Sequence, residues 1–463
     1  METGSVALPF TELTPVSVRQ SRRDARFPFS RLGTLVQRIA PRRGLIRSSA
    51  ILFFGGTAAR AIGFLFSVAA ARLLVPAEYG LLAYGLAIVG FASILISSAP
   101  AGLASFVARY QGNPREQELH FSNWLAVISL LLAVSTVLMV PIAAVARLSP
   151  PMLLAVIANL IGLAVLQTYK EAQRGLERFA AMTIFYFLAN LAQLIAILVL
   201  ALFGLRNAAL YLAIYGLSSV AALAIVQPVA PLALRFIRDA VEWQRMMAVA
   251  RYIQPLVLQT VFFAIWFGAD LILVQRLLTS QAAGNYAAAK SLANAVYLAP
   301  SAVSGAVMSR IARMPQLSLG GYLGRVLVFA TVVTAPLLMV FVVFGKPLTD
   351  FIFGSRYSQV STPLAVLAIG MACYGVYLVL AGSWRGLGKP AIDAGATGAG
   401  TVATVIIGLL LVPRAGLLGA AIAFSAGAMV QLVVIGGYTV RQVTSGRMTR
   451  IDDFMENRRE KEK

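Results

Sequence analysis

Two cations, Arg60 and Lys290, stand inside stretches that are otherwise apolar. A charge at membrane depth is costly and as a rule faces a water-filled cavity or a partner. Both are therefore candidates for contact with an anionic group. Arg60 is too deep to snorkel easily to either surface. Gly56, Gly63 and Ser67 share its face at helical spacing and leave a groove of small residues beside it. The competing role for Arg60 is structural, a guanidinium bridging helices by bonding backbone carbonyls. Lys290 belongs to a row with Tyr286, Asn294 and Tyr297, and a second row holds Gln259, Phe263, Trp266 and Asp270. Both rows are one-sided, as a cavity wall is. Rings beside amides and a cation suit sugar faces and hydroxyls as well as anions. The expected substrate contacts are thus Arg60, Lys290, Asn294, Tyr297, Gln259 and Trp266. The alternative places Tyr286 and Trp266 in the interfacial aromatic belt and lets Lys290 snorkel. Asp270 reads either as an ion-coupling group for a proton or sodium, or as an ion-pair partner of Lys290 or Arg276. A smaller row, Tyr186, Asn190 and Gln193, fits a cavity wall or interhelical hydrogen bonding equally.

Other chemistry is hard to assemble. With one histidine, His120, and one cysteine, Cys373, neither a His/Cys metal cluster nor a Ser-His-Asp triad can be built in the ordinary way. No GxxxxGK[ST] loop occurs. No catalytic residue, metal or cofactor is expected, and transport would draw on an ion gradient, the membrane potential or product consumption.

These residues must be positioned by membrane-spanning helices. Of the 463 residues, 59% are hydrophobic and 12% charged, about half the charge of a soluble domain. The apolar runs predict an all-α polytopic membrane protein of about twelve helices, at about 49–73, 79–106, 121–146, 151–168, 181–203, 207–227, 251–275, 284–308, 323–345, 361–383, 391–412 and 416–440. Thirty of the 37 Lys and Arg outside the spans then fall on one side, which the positive-inside rule makes cytoplasmic, with both termini inside. The net charge of +21 is accounted for by these flanks, and no nucleic-acid-reading motif accompanies it. The expected organisation is a basic, disordered tail (1–47), a six-helix lobe (48–228), a cytoplasmic amphipathic linker (229–250) whose stretch 232–249 reads as a helix on anionic lipid, a second six-helix lobe (251–441) and a charged tail (442–463).

The two lobes are expected to be repeats. Shifted by 204 residues, 72–109 meets 276–313 without a gap. Arg72–Leu73–Leu74 lands on Arg276–Leu277–Leu278 and Gly80 on Gly284. Only nine of the 38 positions are identical, but the landmarks fall at span ends. Parallel repeats about an axis along the membrane normal are a transporter pattern, with substrate between the halves.

Gly55–Gly56, Arg60, Gly63 and the run Ala71–Arg72–Leu73–Leu74–Val75–Pro76–Ala77–Glu78–Tyr79–Gly80 resemble the opening of the Wzx-type polysaccharide flippases, members of the multidrug/oligosaccharidyl-lipid/polysaccharide exporter superfamily. Gln173–Arg174–Gly175–Leu176–Glu177–Arg178–Phe179 and Pro413–Arg414–Ala415–Gly416–Leu417–Leu418–Gly419–Ala420–Ala421 resemble two later motifs of that family. The resemblance spans about 49–440. It implies a V-shaped pair of six-helix lobes with helices 1, 2, 7 and 8 lining the cavity. It also implies a bacterial inner-membrane protein carrying undecaprenyl-pyrophosphate-linked O-antigen or exopolysaccharide units to the periplasm. Implied partners are the lipid-linked oligosaccharide, membrane lipids, and a polysaccharide polymerase with its chain-length machinery. The alternatives are a cation-coupled drug exporter and a lipid II flippase. Lipid II flippases resemble this chain at the helix 1 arginine but carry an Arg-Asp pair further along, where Phe66 and Ser67 stand here. They usually have fourteen helices.

Overall fold

The computed structural model describes residues 43–98, 100–110, 113–311, 319–354, 356–357 and 359–445. The chain falls into two units, Met1–Arg47 and Ser48–Lys463. The expectations for the two tails lie almost wholly outside the described residues.

Every regular element among the described residues is helical, as lipid demands of a backbone that must satisfy its own hydrogen bonds. The first half contains α1 (Arg43–Leu73), α2 (Pro76–Ala92), α3 (Ile94–Ser98), α4 (Pro100–Arg109), α5 (Pro114–Ala146), α6 (Pro150–Gly175), α7 (Phe179–Leu202) and α8 (Ala208–Val226). The second contains α9 (Trp243–Leu277), α10 (Ser280–Ala293), α11 (Ala295–Ile311), α12 (Leu319–Val343), α13 (Gly345–Phe353), α14 (Ser361–Gly386) and α15 (Pro390–Thr444). Start signals are local. Pro76, Pro114, Pro150 and Pro390 open their helices, where a missing N–H costs nothing. Asn207 and Thr279 accept backbone N–H groups of the turns they precede.

Among the described residues, eight helices are long and apolar enough to cross a membrane, or nine if the pair bent by 60° between Pro76–Ala92 and Ile94–Arg109 is one span. α15 counts once there, yet its 55 residues would run about 80 Å, against roughly 30 Å of hydrocarbon. It breaks at Gly416, whose φ of 56° and ψ of −131° are non-helical, so two expected spans share one continuous element. The expected second and eighth spans are each broken instead, at Ser93 and at Asn294. The total of twelve remains a reading of the sequence. Apolar side chains such as Val137, Val145, Leu202 and Val332 face outward, as lipid-facing positions must.

One expectation is corrected. The linker is not an amphipathic helix through 232–249. It runs as turns and extended chain to a single 3-10 turn, Arg238–Ala240, and helix resumes only at Trp243. The α5 side chains take the place of the missing helical hydrogen bonds. Asn123 donates to the Ala240 carbonyl at 2.8 Å and accepts from the Glu242 amide at 3.0 Å, and Ser122 accepts from the Ile237 amide at 2.9 Å.

The two halves meet at repeat-equivalent residues. Gly80 in α2 packs on Gly284 in α10 so closely that a Cβ on either would strike the other strand of backbone, Ser280 and Gly284 in one direction and Pro76 in the other. Pro76 and Ser280 are themselves 204 apart, so the contact is self-complementary, as about a two-fold axis. The equivalent arginines follow suit. Arg72 donates to the Ile352 carbonyl (2.6 Å) and the Phe351 carbonyl at the end of α13, while Arg276 donates to the Val145 carbonyl at the end of α5. Each caps orphan carbonyls of the opposite half and complements a helix C-terminus. Tyr357, whose phenol burial pushes up and so keeps protonated, donates to the Ala71 carbonyl at 2.7 Å beside them. Within the halves, α6 closes on α8 through Gly162 and Gly216, and α14 on α15 through Gly370 and Ser425.

Candidate functional site

α1 carries Arg60 about 17 Å along from the start of the expected span. Gly55 and Gly63 hold that helix against α7, because a Cβ at either would meet Thr183 or Asn190. Gly56, one turn before Arg60, has open space beside it. The Arg60 side chain is exposed. Its Nη1 donates to Ser301 Oγ at 3.3 Å, across to α11 of the other half. Ser301 in turn donates to the Leu298 carbonyl at 2.7 Å, leaving its oxygen free to accept. No carboxylate lies within ion-pair distance of Arg60 among the described residues. Among the described residues, no backbone carbonyl accepts from the guanidinium.

Arg60 lies within electrostatic reach of Lys170 and Tyr297. Lys170, assigned to a loop by the sequence, is on the last turns of α6. Its ammonium donates to Gln167 Oε1 at 3.2 Å and stands 5.3 Å from the centre of the Tyr186 ring. The extra turns of α6 beyond residue 168 bring it to the site. An apolar run ending at Leu166 could not reveal them. Tyr297 is half-buried and sets its ring edge-on to Tyr374 at 5.6 Å. Asn294 sits at the α10–α11 break with its Oδ1 buried and unpartnered.

Lys290, expected to contact substrate, is held here in a buried ion pair. Its Nζ lies 2.7 and 2.8 Å from the Asp270 carboxylate and 2.5 Å from the Phe267 carbonyl. The ring centres of Phe267 and Phe424 stand 4.6 and 4.5 Å away. Asp270 is fully buried and also accepts from Tyr286 at 2.7 Å. All three donors of the ammonium are thereby used. Asp270 forms an ion pair, and it is with Lys290 rather than Arg276. Trp266 is fully buried between Tyr374 (4.5 Å) and Phe424 (4.7 Å). The row Gln259–Phe263–Trp266–Asp270 is one-sided as expected, but Gln259, Phe263 and Trp266 face α14 and α15 within the second half, and Asp270 faces α10. Gln259 donates to Asp393 and lines a cavity there with Tyr377, Arg385 and Gln431. Asp393 escaped the sequence reading because it stands at the start of its span, where an acid reads as a helix N-terminal charge.

The described chain is thus an all-helical membrane protein of two repeat-related halves, with an exposed cation between them. It belongs to the family described as polysaccharide biosynthesis protein, whose model matches residues 45–314. No curated protein matches the sequence. Among solved structures, an inward-facing multidrug resistance MATE family transporter of the MOP superfamily aligns at TM-score 0.69 and 14% identity, over 84% of this chain and 95% of that one. The lipid II flippase MurJ in an inward closed conformation aligns at TM-score 0.68 and 16% identity, over 87% and 90%. An outward-facing MATE structure aligns at 0.65 and 14%, over 88% and 96%. The chain therefore has the two-lobed fold of these transporter and flippase structures.

Proposed function

We propose that this protein flips undecaprenyl-pyrophosphate-linked oligosaccharide units from the cytoplasmic to the periplasmic leaflet of a bacterial inner membrane, for O-antigen or exopolysaccharide export. The observation that carries this is Arg60: a permanent cation deep in α1, exposed and without a carboxylate partner among the described residues, with Lys170 in electrostatic reach. Such a pair suits a pyrophosphate or an acidic sugar and repels cationic drugs. By the positive-inside rule the Arg72/Arg276 end is periplasmic, so its crossed carbonyl bonds close that face and leave the arginine addressed from the cytoplasm. The 48–228 and 251–441 lobes would rock about this axis while the prenyl tail stays in lipid. Tyr297 and Asn294 belong beside the cargo, and a polymerase and chain-length machinery would receive the product.

The test is export in a host lacking its own copy, with surface glycan as readout. Arg60→Ala should lower export by about 10- to 100-fold, the range for removing a charged hydrogen bond, with membrane abundance unchanged. Arg60→Lys should recover part of it, because the charge returns without the planar fork. Export by Arg60→Ala within twofold of the parent would reject the proposal.

A further inference from the structure

The cavity between α9, α14 and α15, about 300 Å³, has no part in the charge-based scheme above, yet it is chemically elaborate. On one side lies Asp393, fully buried. It accepts from Tyr377 and Gln259 and pairs with Arg385 Nε at 3.2 Å. The Tyr377 hydroxyl also shares a hydrogen bond with Thr397 at 2.7 Å. Phe263, Tyr374 and Tyr377 supply an aromatic wall, the two tyrosine rings stacked at 5.6 Å. Gln431 completes the lining. It is fully buried, and neither its Nε2 nor its Oε1 has a protein partner.

That amide narrows the class of ligand. A buried polar group left unmade costs about 1–3 kcal/mol, and here both ends of one amide are unmade. A cation would satisfy only the oxygen, and an anion only the NH₂. A group that both donates and accepts, such as a row of hydroxyls, satisfies both. The Arg385–Asp393 pair carries no net charge, so nothing in the lining selects an ion of either sign. Aromatic rings offer a surface for the apolar face of a sugar ring, and amides, an acid and an arginine beside them offer hydroxyl partners. The volume lies at the small end of the roughly 300–1,000 Å³ usual for ligand pockets, suited to one ring rather than a chain. Thr260 lines the cavity, and its hydroxyl accepts from Ser98 of the first half at 3.0 Å. The cavity therefore borders the seam between the halves, and the Arg385 side chain, 33% exposed, stands at its solvent side.

We infer that this cavity is a subsite for one neutral monosaccharide unit of the glycan, with Tyr374 and Tyr377 against the ring and Gln431, Gln259 and Asp393 holding its hydroxyls. The identity of the ligand as part of the cargo rests on the flippase proposal; the subsite itself does not.

The experiment uses the full-length protein in lipid nanodiscs and saturation-transfer NMR with methyl glycosides of glucose, galactose, mannose, N-acetylglucosamine and glucuronic acid. At least one neutral glycoside should receive saturation, and Gln431→Leu should reduce it at least tenfold. Gln431→Glu, which keeps the shape but replaces the donor end, should reduce it too, and this variant answers the question if Gln431→Leu fails to fold. Four results would overturn the inference: no transfer to any neutral glycoside, equal transfer in parent and Gln431 variants, preference for the glucuronide, or displacement of the glycoside by sodium chloride at constant ionic strength. The last would make the cavity a cation site. Export by the Arg60 variants bears on the flippase proposal alone. Glycoside binding that needs Gln431 stands whatever that assay returns, and its absence leaves Arg60-dependent export intact.

Discussion

Replacing Lys290 by Met tests whether the deep lysine serves the fold or the cargo. The side chains of the pair are 8% and 0% exposed, and the ammonium bonds both carboxylate oxygens and a backbone carbonyl. Removing the cation leaves Asp270 buried with the Tyr286 hydroxyl and its neighbour's amide, at 2.8 Å, as hydrogen-bond donors. Leaving one member of a buried pair uncompensated costs about 3–5 kcal/mol, or about two to three and a half orders of magnitude in the folded-to-unfolded ratio. Asp270→Leu alone should cost a similar amount, because it strands the ammonium. The double variant Lys290→Met with Asp270→Leu removes both charges and fills the site with apolar atoms of similar size, so it should return to within about 1–2 kcal/mol of the parent or exceed it. Denaturant unfolding of the purified protein gives the coupling energy as a double-mutant cycle, and glycan export is measured on the same variants. Single variants as stable as the parent would refute the ion-pair account. So would a double variant that folds stably yet loses export, since that would put Lys290 in contact with the cargo after all.

Two further substitutions probe the frame. Gly80→Ala puts a methyl into the backbone of Ser280 and Gly284, which no side-chain movement can relieve, so the halves must part at this end. Protease accessibility near Tyr79 should rise and export should fall at least tenfold, whereas wild-type export would contradict the close packing about the axis. Gly416→Ala imposes a Cβ at φ 56°, ψ −131°, a conformation that is essentially glycine's, and should lower unfolding free energy by about 1–3 kcal/mol. A loss below about 0.5 kcal/mol would mean that the break within α15 does not need glycine.

Much of the architecture was legible because the solvent imposes it. A lipid interior forces long apolar helices, so the all-helical membrane class could be read from length and hydropathy. The weak repeat was legible for a similar reason: residues where two halves touch about an axis are constrained twice, and Arg72, Gly80, Arg276 and Gly284 are such residues. Local breaks were not, since the bends at Ser93 and Asn294 and the unwound linker depend on which neighbour takes up the released backbone groups, as Asn123 does for Ala240 and Glu242.

By itself, then, the amino-acid sequence determined the class: helices fit for lipid, paired halves, and a cation at residue 60 within an apolar run. Periodicity also placed Gln259, Trp266, Asp270 and Lys290 on common faces. Only the tertiary structure decided what those faces meet. A one-sided polar row has the same pattern whether it lines water or a packed core, because the pattern records spacing on one helix and not the identity of the element packed against it. Here α14 and α15 cover most of the row from α9, Asp270 neutralises Lys290 of α10, and Arg385, Asp393 and Gln431 converge on a cavity from two different helices, while Arg60 keeps an exposed guanidinium with Ser301 across the seam.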